Sequence, residues 1–171
     1  MPKPARRRYV SCDMKMSHVR TFPGHLLRRA NQISMAIFAE EMAETELTSV
    51  QHVALIAIAE YGKLDVTRLA EIIDFDKATI GDVVLRLERK GLLKRTVSES
   101  DGRVKLLRLT AAGKALLFVS EQRVEAVQAR ILDRLQEDER AHFIALLAKL
   151  VGGNAAQPED SEDNLVADLR R

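Results

Sequence analysis

The chain has 171 residues, of which 46% are hydrophobic, 4% aromatic and 30% charged, with no Trp and a net charge of +2. That length suits one folded domain with helical extensions, and the scarcity of aromatic residues argues against an all-β sandwich in favour of helices rich in Leu, Ile, Val and Ala. The single cysteine, Cys12, excludes an intramolecular disulfide framework, and no apolar run approaches the roughly 18 to 20 residues of a membrane-spanning helix. Residues 1–8 are basic and lead into Tyr9, Val10 and Ser11 rather than an apolar signal core, so a cytoplasmic location is expected.

Residues 1–21 mix Pro, Lys, Arg, Ser and Met without a period and read as a flexible basic arm, either simply solvated or weakly attracted to a nucleic-acid backbone. Cys12 lies in this arm, as an incidental thiol or as a redox sensor. Pro23 is placed to open a helix in which Leu26, Ala30, Ile33 and Ile37 recur at helical spacing and Phe38 widens the stripe. Thr48 and Gln51 make a capping box ahead of an apolar run over 53–59, and Gly62 ends that second helix. Asp65 caps a shorter helix carrying Leu69, Ala70, Ile72 and Ile73. Asp74, Phe75 and Asp76 turn the chain into a helix over about 77–90 that stops at Gly91, giving a helix-turn-helix pattern.

Alternation then replaces helical spacing. Leu93, Arg95 and Val97 precede a polar tip over 98–102, and Val104, Leu106, Leu107 and Leu109 follow it, which predicts a β-hairpin with Gly102 in the turn and Arg103 beside it. Thr110 caps a further helix whose apolar stripe runs from Leu116 to Leu135, and a last helix covers about 137–151. The fold class is therefore mainly α with a small β-hairpin wing. It comprises a winged helix-turn-helix over about 48–113 with terminal helices over about 23–43 and 111–151, in a domain of residues 22–151 followed by an acidic tail over 152–171.

Charge distribution points to a nucleic acid. Residues 62–113 hold eleven Lys/Arg against eight Asp/Glu, whereas residues 155–171 hold five acids against two Arg. In the helix over 77–90, Ile80, Val83, Val84 and Leu87 fall on one stripe, while Thr79, Asp82, Arg86 and Arg89 line a different side and Lys77 stands at its start. A helix fits the major groove, where Thr79 can meet a thymine methyl or a phosphate, Arg86 a guanine or the backbone, and Asp82 a cytosine amino group. Gly81 in mid-helix suggests close approach to DNA or to a neighbouring helix. Arg103 at the hairpin tip is suited to the minor groove, with Asp101 orienting its guanidinium. Lys105 and Arg108 are either phosphate contacts or ordinary solvated charges. No phosphate loop, GxSxG, HExxH or paired-Cys motif is present, so an enzyme is not expected, and the dispersed His18, His25, His52 and His142 offer no metal-ligand spacing. A winged-helix protein-interaction module is the competing non-enzymatic reading.

The stretch LAEIIDFDKATIGDVVLRLERKGLLKRTVSESDGRVKLLRLTAAG, residues 69–113, resembles the winged helix-turn-helix core of the MarR family of bacterial transcription regulators. The resemblance rests on Leu87-Glu88-Arg89-Lys90-Gly91, Asp101-x-Arg103 and Leu107-x-Leu109-Thr110-x-x-Gly113, with flanking helices in the family's order across about 23–151. It implies a homodimer interlocked through its terminal helices, double-stranded DNA with a pseudo-palindromic operator as partner, and repression released by a small, often phenolic or carboxylated, effector. An aromatic carboxylate would then lie near His25, Arg29, Gln32, Met35 and His52, with no other cofactor and no metal. The segment PGHLLRRANQIS is similar to regulators of aromatic-acid or nicotinate-type catabolism. Peroxide-sensing relatives carry their cysteine inside the first long helix, so Cys12, ahead of Pro23, is out of register with them.

Overall fold

The computed structural model describes residues 15–98 and 102–152; Cys12, Asp101 and nearly all of the acidic tail lie outside them. The elements in chain order are α1 (Met16–Val19), α2 (Pro23–Glu41), a 3-10 turn at Ala43–Thr45, α3 (Ser49–Tyr61), α4 (Val66–Ile72), α5 (Lys77–Arg89), β1 (Leu93–Val97), β2 (Lys105–Leu109), α6 (Ala111–Ile131) and α7 (Glu137–Leu150). Two compact units divide after Gln128, within α6.

In the first unit the local signals act where they stand in the sequence. Pro23 occupies the first turn of α2. The capping box at α3 forms in both directions, Gln51 N–H donating to Thr48 Oγ1 at 3.3 Å and Thr48 N–H to Gln51 Oε1 at 3.2 Å. Asp65 accepts the Arg68 N–H at 2.8 Å to start α4. Between α4 and α5 the chain reverses through Asp74 in the left-handed region, φ 55°, while Phe75 N–H reaches back to Ala70 O at 3.0 Å. Aspartate tolerates that conformation better than most non-glycine residues. One short helix was not legible: α1 arises from local i to i+3 and i+4 bonds, which need no apolar period.

The core joins α3, α4, α5 and the hairpin. Leu55, Leu69, Ile80, Val84, Leu87 and Leu107 are fully buried, with Leu47, Leu64 and Leu93 nearly so. Each such side chain contributes about 1.5–3 kcal/mol by leaving water. β1 and β2 pair antiparallel from Leu93↔Leu109 to Val97↔Lys105, and Leu64 adds a one-residue bridge to Leu107, whose N–H donates to Leu64 O at 2.7 Å. The architecture is a winged helix-turn-helix. Along α2, by contrast, only Phe38 is buried, and Leu26, Leu27, Ile33 and Met35 remain exposed.

In the second unit α6 ends at Ile131, short of the expected Leu135, because residues 132–135 close i to i+3 bonds instead. Glu139 accepts the Gln136 N–H at 2.8 Å to start α7, and Arg140 pairs with Glu137 at 2.9 Å. Ile144, Leu146, Leu150 and Val151 are exposed. Among the described residues no helix is long and apolar enough to cross a membrane.

Candidate nucleic-acid interface and ligand cleft

The candidate reading helix, α5, is fixed by one face and offers the other. Ile80, Val83, Val84 and Leu87 are buried, and Lys77, Thr79, Asp82, Arg86 and Arg89 are all exposed. Asp76 caps its N-terminus by accepting two bonds from Thr79, the backbone N–H at 2.8 Å and the hydroxyl at 2.5 Å. The Thr79 hydroxyl, and then its N–H, hold the Asp76 carboxyl below its usual range by favouring the anion. Arg86 and Arg89 stand in the last turn, where cations complement the helix dipole. Gly81 narrows one expectation: among the described residues no atom outside its own helix backbone comes within 4 Å of a Cβ built there, so no neighbouring helix requires the glycine.

A joint behind α5 ties it to the wing and to α6. Gly91, at φ 71°, ends the helix, and its carbonyl accepts the Thr110 hydroxyl at 2.6 Å. The Thr110 N–H donates to Leu92 O at 3.0 Å, while Thr110 Oγ1 also accepts the Gly113 N–H at 3.1 Å. Gly113 is obligatory here, because a Cβ would lie 2.0 Å from Leu92 O. Arg95 on β1 sits 3.3 Å from Glu88 Oε2 on α5, an ion pair that links helix and wing. Arg103 and Lys105 are exposed on the wing; Asp101, the expected orienting partner, lies outside the described residues.

Beside this joint lies a cavity of about 360 Å³ lined by Ile58 and Gly62 of the α3 end, Arg108 and Leu109 of β2, and Lys114, Leu117, Phe118 and Glu121 of α6. Phe118 is 76% exposed, so a large aromatic face is left for an occupant. None of the five residues expected to bind effector lines this cavity. His25, Arg29, Gln32 and Met35 lie along α2, the first half-buried and the others exposed. His52 is buried, its Nε2 2.9 Å from Ser120 Oγ and its ring 5.9 Å from that of Phe38. Because the Ser120 hydroxyl donates to Leu117 O at 2.7 Å, its oxygen accepts from His52, which assigns the proton to Nε2. Burial lowers the His52 pKa by disfavouring the cation. Lys114, Phe118 and Glu121 of the cavity wall were not singled out from the sequence, although they recur at i, i+4 and i+7 on α6.

The MarR family model matches residues 47–105, which span α3 to the start of β2. The HTH-type transcriptional repressor NicR of Pseudomonas putida is 31% identical over 141 residues, covering 82% of this chain and 84% of that protein. Among solved structures, Bordetella bronchiseptica BpsR, described with regulation of its DNA binding by 6-hydroxynicotinic acid, aligns with a TM-score of 0.74 at 31% identity, covering 80% of this chain and 98% of that one. Streptomyces coelicolor PcaV in complex with its natural ligand aligns with a TM-score of 0.72 at 34% identity, covering 81% and 96%.

Proposed function

The chain belongs to the MarR family and is a DNA-binding transcriptional regulator, and from that premise we propose that it is a homodimeric repressor released by a small aromatic carboxylate. Lys77, Thr79, Asp82, Arg86 and Arg89 on α5 face the major groove, Arg103 on the wing meets the minor groove with Asp101 expected to orient its guanidinium, and Lys105 meets phosphates. Two copies engage half-sites about 34 Å apart on a pseudo-palindromic operator.

The observation that carries the effector reading is the cavity beside the joint. Its Arg108 and Lys114 have no ion-pair partner among the described residues, and they line it together with Phe118 and Glu121. Cations beside an aromatic and aliphatic wall suit a ring that bears a carboxylate. Arg108 is on β2, the second strand of the wing, and Lys114 adjoins Gly113, so an occupant there is coupled to the pose of α5 and the hairpin. The 6-hydroxynicotinic acid to which BpsR responds has this chemistry.

The test is a fluorescence-anisotropy titration of operator duplex with and without a panel of aromatic acids that includes 6-hydroxynicotinic acid. At least one acid should weaken operator binding and raise the melting temperature of the free protein. Lys114→Gln should increase the concentration of acid required. A panel with neither effect would overturn the effector assignment. Arg103→Ala should weaken operator binding and reduce the salt slope by about one per protomer; an unchanged slope would remove the wing from the interface.

A further inference from the structure

We infer that Asp76 is a positioning residue for DNA reading: by accepting the Thr79 hydroxyl hydrogen bond it engages that side chain's only donor and fixes the Thr79 γ-methyl, which is offered to the groove as a detector of the thymine methyl. The inference rests on α5 being the reading helix.

A threonine hydroxyl has one proton to donate. At Thr79 that proton is directed to Asp76 Oδ2 at 2.5 Å, and the Thr79 N–H is directed to the other oxygen of the same carboxylate at 2.8 Å. Two bonds to one carboxylate fix both the backbone and χ1 of Thr79. The carboxylate itself begins the helix as its N-cap, with Asp76 at ψ 148° and Lys77 the first helical residue. Thr79 is nonetheless exposed, so the side chain is immobilised without being covered.

That arrangement narrows what Thr79 can do. Donation to a phosphate oxygen or to a guanine acceptor would require the hydroxyl to leave a charge-assisted bond, which is among the stronger hydrogen bonds in proteins. The γ-methyl makes no such sacrifice. In the major groove thymine is marked by its C5-methyl, and a threonine methyl is one of the apolar groups that meet it. The anchored methyl therefore converts a residue that is ambiguous by type into a thymine-preferring one, and the side chain that makes the choice is Asp76 rather than Thr79.

The experiment uses the full chain and a duplex selected from a randomised pool by the wild-type protein. Each thymine of the selected site is then replaced by deoxyuridine, which removes only the C5-methyl. At one thymine per half-site, wild type should lose about fourfold in affinity, the value of one buried methyl-sized group. Thr79→Val keeps a methyl but loses the hydroxyl bond to Asp76, so it should still bind while its deoxyuridine penalty shrinks. Thr79→Ser keeps the bond to Asp76 but lacks the methyl, so the penalty at that position should vanish. Asp76→Asn retains a cap and weakens the anchor, so the penalty should shrink, and thermal melts register any loss of folding separately.

An undiminished penalty in Thr79→Ser would overturn the inference and assign the methyl contact to another side chain, such as the adjacent Ala78. Loss of operator binding by Thr79→Val would overturn it too, since the hydroxyl would then be the contact, and so would an undiminished penalty in that variant, since the methyl would then need no anchor. Arg86→Ala separates this from the broader reading. If Arg86→Ala weakens binding and no thymine is methyl-sensitive, the anchored-methyl inference alone fails. If neither Arg86→Ala nor any Thr79 variant changes affinity or preference, α5 is not the reading helix.

Discussion

Gly81 lies in a helix interior and His52 in the core, two settings that their residue types do not favour. A glycine in a helix interior costs about 1 kcal/mol relative to alanine, and among the described residues nothing outside its own helix backbone comes within 4 Å of a Cβ at Gly81. Gly81→Ala should therefore raise stability by about 0.5–1 kcal/mol in a denaturant melt. If the glycine serves DNA approach, the same variant should bind operator more weakly; equal affinity would mean that the helix bears the cost for no groove contact. At His52 burial depresses the folded pKa, so the unfolded chain binds the proton more readily. The contribution is complete above the unfolded value of about 6.5 and is lost as pH falls through the lower folded value. His52→Gln keeps a donor for Ser120 without a titrating ring. It should flatten the decline in melting temperature below about pH 6.5, and parallel pH profiles for the two proteins would contradict this.

The elements meet at the joint formed by Gly91, Leu92, Thr110 and Gly113. Gly113→Ala forces a Cβ to within 2.0 Å of the Leu92 carbonyl, and a backbone oxygen cannot rotate aside as a flexible side chain would. The expected cost is about 2–3 kcal/mol, typical of overpacking, or a fall in melting temperature of roughly 4–12 °C. A variant that melts within 2 °C of wild type, on the order of the shift expected for 1 kcal/mol, would show that the joint yields. The Thr110-x-x-Gly113 pattern was readable in the sequence, as were the caps at Thr48 and Asp65, the stops at Gly62 and Gly91 and the buried stripe of α5, because each is decided within four residues of itself. The reason for Gly113 was not readable, since Leu92 lies 21 positions earlier in the chain. The cavity was hidden for the same reason: α3, β2 and α6 each supply part of its wall. The residues expected from their type, His25, Arg29, Gln32 and Met35 on α2 and His52 on α3, do not line this cavity.

At the scale of the whole molecule, the unpartnered apolar surface calls for explanation. Leu26, Leu27, Ile33 and Met35 on α2, Val119 on α6, and Ile144, Leu146, Leu150 and Val151 on α7 are all at least 40% exposed. Extensive apolar patches are uncommon on soluble monomers and mark interaction surfaces. The proposed dimer supplies a partner of matching chemistry, and a symmetric interface presents the same patch twice. Its energetic consequence is separable from folding. Two half-site contacts in one dimer act as linked events, so losing the linkage costs far more in affinity than weakening either contact. Ile144→Glu with Leu150→Glu adds charge at exposed positions of α7, where it disturbs no buried packing of the chain itself. The double variant should sediment as a monomer at micromolar concentration, lose the concentration dependence of its melting temperature, and bind operator about 10²-fold or more weakly while binding a single half-site as wild type does. If the double variant remains dimeric and keeps its operator affinity, α7 is not the dimer surface and the exposed faces of α2 and α6 must carry the contact.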